Sequence, residues 1–115
     1  NKEFNEGGAI INGRVFLINY INSSVYPNLI VKDTTFAQEQ EIYLTYGNHE
    51  FYDERIRTQY DGTFSFSNLI KGDYKVFLYS EDVSGGTEDI VKMFETTISD
   101  DIQVIDLGDI YIEQL

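Results

Sequence analysis

This chain of 115 residues carries 20 acidic against 8 basic residues, a formal net charge of −12 at pH 7. That balance argues against a nucleic acid partner and against docking on an anionic membrane surface, because both require clustered lysine and arginine. Cysteine is absent from the sequence, which excludes disulfides, thiolate metal sites and cysteine catalysis.

Length and composition favour a single β-domain. The chain is long enough for one two-layer core, and its 9 tyrosines and 8 phenylalanines suit half-buried pleated surfaces. We expect residues 1–7 to be a flexible lead-in and residues 8–115 to form the domain. The sequence has no apolar run near the ~20 residues that span a bilayer. Because it begins at Asn1, we expect a mature or trimmed chain, with any signal peptide or lipid anchor upstream.

The first half of the chain predicts four strands from period-two alternation. Residues 8–20 form the first, in which Gly13 marks a bulge or a close approach of the backbone. Residues 29–38 predict a short edge strand followed by a crossing loop. Residues 39–46 are a clearer strand, and residues 53–60 predict another short one.

The second half begins with two alternating runs that flank a glycine-containing turn, so residues 60–81 predict a β-hairpin. Residues 82–89 form a loop of glycine, serine and acids. Residues 90–99 predict a further strand, and residues 103–112 predict the last. Its apolar spacing breaks strict alternation, which indicates a bulge at Gly108-Asp109.

Seven or eight short strands separated by turns, with no helical period, predict an all-β antiparallel sandwich. Parallel pairing is not expected, because the sequence offers no crossover helices. The alternation also predicts the core, made of Val15, Leu17, Ile42, Leu44, Phe64, Phe66, Leu69, Tyr74, Val76, Leu78, Phe94 and Ile110.

Three segments resemble the transthyretin-like β-sandwiches, the carboxypeptidase regulatory-like domains of bacterial surface proteins and lipoproteins. They are residues 11–15 (Ile-Asn-Gly-Arg-Val), residues 61–76 (Asp-Gly-Thr-Phe-Ser-Phe through Lys-Gly-Asp-Tyr-Lys-Val) and residues 106–112 (Asp-Leu-Gly-Asp-Ile-Tyr-Ile). The resemblance implies an antiparallel Greek-key sandwich of about seven strands, prealbumin-like, without catalytic residues. It also implies an extracytoplasmic location, periplasmic or at the cell surface, and a structural or adhesive role with a protein or glycan partner.

Aromatic side chains supply the first candidate site. Tyr43, Phe77 and Tyr79 fall on the faces opposite the presumed core residues of their strands. If one sheet exposes them together, they form a platform for sugar rings or for a protein partner, since aromatic residues are enriched at interfaces. The alternative is that a chain so rich in aromatics leaves some tyrosines partly exposed. A carbohydrate-binding module is therefore the alternative to a protein-interaction module.

Acidic side chains supply the second candidate site, for calcium. One group is Glu81, Asp82, Glu88 and Asp89; the other is Asp100 and Asp101, with Asp106 or Asp109. Calcium takes about six to eight oxygen ligands, and the loop around Gly85-Gly86 is flexible enough to wrap an ion. The sequence lacks the spacing of an EF-hand, so the competing interpretation is a solvated acidic loop with no cofactor.

Catalysis is not expected. His49 is the single histidine, in a turn-rich stretch beside Glu50 and Asp53. A metal or acid–base role for it would need convergent partners. No serine has the sequence context of a nucleophile elbow, so a Ser-His-Asp triad has no support.

Overall fold

The computed structural model describes residues 6–21 and 24–115, which form eight β-strands and no helix. Among these residues, no helix is long and apolar enough to cross a membrane. The predicted all-β sandwich is confirmed. The strands are β1 (Ala9–Tyr20), β2 (Val31–Phe36), β3 (Glu41–Tyr46), β4 (Glu54–Arg57), β5 (Thr63–Leu69), β6 (Gly72–Ser80), β7 (Ile90–Ile98) and β8 (Val104–Gln114).

Sheet 1 is built around β1, the longest strand. On one side β1 pairs with β8 along almost its whole length. On the other side its first half pairs with β5 and its second half with β2. Residues 1–5 of the predicted lead-in lie outside the described residues. Gly7, within the predicted lead-in, is hydrogen-bonded to the end of β5, since its amide donates a hydrogen bond of 2.8 Å to the carbonyl of Asn68.

The β1–β8 pair is parallel, which corrects the expectation of a fully antiparallel sandwich. The rule behind that expectation concerns strands that follow one another in the chain, because a parallel neighbour then needs a long crossover. Here β1 and β8 are the first and last strands, so all the remaining strands serve as the connection. The other pairs in both sheets are antiparallel.

Sheet 2 has the order β4-β3-β6-β7, and this corrects the predicted hairpin. The strand β5 pairs with β1 in sheet 1, whereas β6 pairs with β3 and β7. The turn between β5 and β6 therefore carries the chain from one sheet across the core to the other. Asn68 and Gly72 take positive φ values of 60° and 148° there. Alternation and turn residues look the same in a hairpin and in such an arch, because both strands have one buried face in either case.

The core lies between the inner faces of the two sheets, and the predicted set is confirmed with two adjustments. Leu17 and Phe94 are partly buried and pack against the core rather than within it. Sequence reasoning omitted some of the buried residues, namely Ala9, Ile11, Ala37, Ile98 and Ile112.

The predicted irregularities at Gly13 and Gly108 are both confirmed. The β1–β8 register shifts between Asn12 and Arg14, and Gly108 has a φ of +76° at the bulge. The Asp106 carboxylate accepts a hydrogen bond of 2.8 Å from the Gly108 amide, which fixes the bulge locally. The backbone at Gly13 lies close to the Phe64 ring, because a Cβ at this position would be 2.8 Å from Cζ of Phe64.

Candidate functional site

Three of the predicted site residues share the solvent face of sheet 2. Tyr43 lies on β3 directly opposite Phe77 on β6, and Tyr79 is two residues further along β6. Their neighbours Leu44, Val76 and Leu78 are fully buried. Alternation therefore sends these three rings outward while the adjacent residues fill the core.

The three rings contact one another, and a fourth ring, that of Tyr52, packs against them. Tyr43 and Phe77 are stacked, with centroids 5.1 Å apart and planes 12° from parallel. Tyr79 stands edge-on to both, at 5.8 Å from Tyr43 and 6.1 Å from Phe77. Tyr52 packs on Tyr43 at 5.0 Å. We call Tyr43, Tyr52, Phe77 and Tyr79 the four-ring patch. Tyr52 lies in the loop between β3 and β4, where no periodicity could have assigned it a face.

A hydrogen bond fixes the orientation of the Tyr43 ring. Its hydroxyl donates to Oε2 of Glu41 at 2.7 Å. This bond is the main reason that the pKa of Glu41 lies below its ordinary value, and the guanidinium groups of Arg55 and Arg57 act in the same direction. The same bond raises the pKa of Tyr43. The guanidinium groups of Arg55 and Arg57 lie 3.9 Å and 3.5 Å from Oε1 of Glu41, so both arginines pair with this carboxylate.

The patch continues as an apolar strip onto the edge strand β7. Met93 pairs with Phe77 and Val91 with Tyr79, so both side chains lie on the same outer face. They are 49% and 47% exposed, close to the 43% of Tyr79 and the 47% of Tyr52. The solvent face of sheet 2 thus carries a contiguous surface of rings and flexible apolar side chains that the domain itself leaves uncovered.

The predicted calcium ligands are not gathered into one cluster. The described residues contain no group of three or more His, Cys, Asp or Glu side chains placed to hold a metal ion. In the loop after β6, Asp82 accepts hydrogen bonds from the amide and hydroxyl of Ser84, which lower its pKa. Glu81 accepts a hydrogen bond from the Leu115 amide at 3.2 Å. Glu88 and Asp89 are exposed in that loop, while Asp100 and Asp101 are exposed in the turn before β8. The two interpretations of these acids, a calcium site and a solvated acidic loop, both stay predictions.

His49 has a local structural role. Its Nδ1 lies 2.7 Å from Oδ1 of Asp53, and Oδ2 of Asp53 accepts a hydrogen bond of 2.7 Å from the Tyr46 amide. The aspartate thereby joins the imidazole to the end of β3. This contact connects the turn after β3 to the end of that strand.

A second aromatic cluster lies on the solvent face of sheet 1, and sequence reasoning did not identify it as a site. Phe16 on β1 packs between Phe36 on β2, at 5.6 Å, and Tyr111 on β8, at 5.2 Å with planes 18° apart. We call these the three-ring row. Phe16 and Tyr111 each alternate with buried neighbours, which was a usable signal. Their adjacency depends on the β1–β8 register, which the sequence does not reveal.

Comparison with solved structures shows a distant likeness. The crystal structure of a candidate carbohydrate-binding protein from Pseudomonas aeruginosa is 11% identical over 96% of this chain and 90% of that chain, with a TM-score of 0.48. No protein-family model matches this chain, and no curated protein matches it. A likeness at this level carries no conclusion about function.

Proposed function

We propose that this domain is a non-catalytic, extracytoplasmic interaction module of a bacterial surface protein, and that it binds a protein partner through the four-ring patch. The observation that carries the proposal is the ring cluster on the solvent face of sheet 2, in which Tyr52 and Tyr79 are exposed and Tyr43 and Phe77 are half-buried. The extracytoplasmic setting and the transthyretin-like family rest on the sequence resemblance alone.

The composition of this surface supports a protein partner. Aromatic residues, methionine and arginine are the types enriched in protein–protein interfaces. The patch offers the rings at its centre, Met93 and Val91 on one side, and Arg55 and Arg57 on the other. Tyrosine in particular provides a large contact area with few rotatable bonds, so ordering it on binding costs little entropy.

The rigidity of the patch also supports a binding role. Tyr43 is held by its bond to Glu41 and stacked on Phe77, so the rings are ordered before a partner arrives. A pre-ordered contact surface loses less conformational entropy on association, which leaves more of the interaction energy as affinity.

A glycan is the second candidate ligand for the same surface. This alternative requires Tyr43, Phe77 and Tyr79 to share one solvent face, as they do, with Tyr79 exposed and the other two rings half-buried. The immediate apolar neighbours, Val91 and Met93, favour the protein partner, because valine offers no hydrogen bond to a sugar hydroxyl and the methionine sulfur is only a weak acceptor.

Parallel arrays of extracellular proteins and of glycans, probed with the purified domain, test the proposal. We expect a protein ligand whose affinity falls about ten-fold or more in Tyr79→Ala, because truncation of a central interface aromatic commonly costs above 1 kcal/mol. The matched control is Tyr60→Ala, which removes a tyrosine that is 77% exposed and lies outside the patch. A patch-dependent signal on the glycan array alone would replace the protein partner with the second candidate. Binding that both variants retain would overturn the assignment of the patch.

A further inference from the structure

The three-ring row crosses sheet 1 at a right angle to its strands. Phe36, Phe16 and Tyr111 occupy matching positions of β2, β1 and β8, because Phe16 pairs with Phe36 on one side and with Tyr111 on the other. The two outer rings are 44% and 49% exposed. Three neighbouring strands thus present a continuous aromatic platform to solvent.

A pocket of about 400 Å³, lined mainly by polar residues, adjoins this platform. Along β1, the next outward position after Phe16 is Arg14, which pairs with Thr63 of β5 and Asp109 of β8; after it comes Asn12, which pairs with Ser65 and Asp106. Arg14, Asn12 and their four strand partners line the pocket, together with Gln59. The platform and the pocket are therefore consecutive zones of one sheet face.

The β8 bulge helps to shape the pocket. Because β1 and β8 shift register between Asn12 and Arg14, Leu107 and Gly108 lie together opposite Gly13. Gly108 lines the pocket and adds no side chain to fill it. The bulge also keeps Asp109 directly beside Arg14 on the outer face, where its carboxylate is exposed. Bulges commonly re-aim side chains next to functional sites.

Arg14 joins the two zones. Its Cζ lies 5.5 Å from the centroid of the Phe36 ring, and its Nη2 is 3.9 Å from Oδ2 of Asp61. Its Nε is buried and has no hydrogen-bond partner among the described residues. The ion pair is longer than a hydrogen bond and the Arg14 side chain is 43% exposed, so this guanidinium keeps donors for a ligand at its exposed end.

From this arrangement we infer that the solvent face of sheet 1 is a binding site for a neutral saccharide. A sugar ring has apolar C–H faces and a rim of hydroxyl groups that both donate and accept hydrogen bonds. The platform matches the apolar face. The pocket matches the hydroxyl rim, because amides and hydroxyls donate and accept, carboxylates accept and the guanidinium donates. Sites that combine an apolar wall with a few placed polar groups are typical of small-ligand recognition.

Charge excludes the anionic ligands that an arginine might otherwise suggest. Asp106 and Asp109 line the same pocket as Arg14, and Asp61 lies beside its guanidinium. A sulfated or phosphorylated sugar would meet these carboxylates within a chain whose net charge is already −12. A neutral ligand meets no such repulsion. This site lies on the opposite sheet from the four-ring patch and does not depend on the function proposed for it.

Calorimetric titration of the whole domain with neutral gluco-, manno-, galacto- and xylo-oligosaccharides tests this inference. We expect at least one of them to bind, and its affinity to fall about ten-fold in Tyr111→Ala and in Asp109→Asn. The first change removes an outer ring of the platform and the second removes a charge from the pocket without changing its shape. Phe51→Ala removes a ring that is 80% exposed and belongs to neither aromatic surface, so this variant is the control and should bind as the unaltered domain does. Circular dichroism of each variant confirms that it is folded.

Two outcomes would overturn the inference. One is that none of the four saccharide classes binds at millimolar concentration. The second outcome is that Tyr79→Ala abolishes saccharide binding while Tyr111→Ala preserves it. That result would assign the saccharide site to sheet 2 instead of sheet 1. If no saccharide binds and Tyr79→Ala still loses a protein ligand, the sheet 1 site fails while the function proposed for the four-ring patch stands.

Discussion

Gly13 lies against the ring of Phe64, so that a Cβ at position 13 would be 2.8 Å from Cζ and 2.9 Å from Cε2 of that ring. Phe64 is 3% exposed and belongs to the core, so its ring has little room to move. The glycine is therefore required by space, since its φ lies outside the positive region.

We expect Gly13→Ala to destabilise the domain by about 1–3 kcal/mol, as overpacking of a filled core does. Urea unfolding followed by tyrosine fluorescence measures the change. The matched control combines Gly13→Ala with Phe64→Leu, which shortens the opposing side chain. The double variant should lose less than the sum of the single changes, because the two residues are in contact. If the stability losses of the two single variants simply added in the double variant, the Phe64 ring would not be what excludes a Cβ at position 13.

The bond between Tyr43 and Glu41 predicts a pH effect on the acidic side. Because that bond and the nearby arginines lower the pKa of Glu41, the ionised carboxylate is favoured in the folded state. Its contribution to stability is present above the ordinary pKa of 4.5 and is lost as the pH falls through the lowered value.

In Tyr43→Phe we expect the pKa of Glu41 to rise towards its ordinary value. A side-chain carboxyl NMR titration of both proteins reads this directly. The ring remains in the variant, so its stacking on Phe77 provides an internal check on structure. An unchanged Glu41 titration would mean that the hydroxyl is not its principal partner.

Tyr74 predicts an effect on the alkaline side. Burial raises its pKa to about 12, and its hydroxyl donates a hydrogen bond of 2.8 Å to the carbonyl of Ile70 in the turn between β5 and β6. An unfolded chain ionises this phenol first. The stabilising contribution is therefore complete below the ordinary value of 10.0 and is lost as the pH rises through about 12.

We expect Tyr74→Phe to cost about 1 kcal/mol at neutral pH through the lost bond to Ile70. The variant should also lose part of the alkaline fall in stability between pH 10.0 and about 12. Urea unfolding across that range tests both effects. A variant with the same pH profile as the unaltered domain would show that Tyr74 does not contribute to the alkaline transition.

Because the acidic side chains of the two candidate calcium sites are dispersed, we expect calcium to have no effect on the stability of the domain. Asp82 is hydrogen-bonded to Ser84, and Asp100 and Asp101 lie in a separate turn. We expect millimolar calcium, added after chelator treatment, to leave the thermal midpoint unchanged. An ion that binds the native state alone would raise the midpoint. A rise that Asp82→Ala or Asp101→Ala removes would establish the calcium site and identify its loop.

The strands could be predicted from the sequence because the alternation of apolar and polar residues is a local property, visible within each segment. Phe64 and Phe66, or Tyr74 and Val76, reveal a buried face without reference to any partner. Which strands pair with each other is not visible within a single segment. Nothing within residues 60–81 distinguishes a hairpin from an arch between sheets, so that prediction was wrong.

The same distinction explains the two aromatic surfaces. Tyr43, Phe77 and Tyr79 could be grouped in advance because all three oppose core residues on their own strands. The row of Phe16, Phe36 and Tyr111 requires the pairing of the first strand with the last, and that pairing is set by packing across the whole chain.

The parallel pairing of β1 and β8 determines how the domain would respond to tension. From Ile10–Val104 to Asn19–Gln114 the two strands lie side by side and point the same way. The start of β1 and the end of β8 are consequently at opposite ends of the pair. A pull on these two ends acts along the strands and loads the evenly spaced hydrogen bonds together in shear, instead of opening them one after another. Tension applied to these two ends therefore has to break many hydrogen bonds at once before the first and last strands separate.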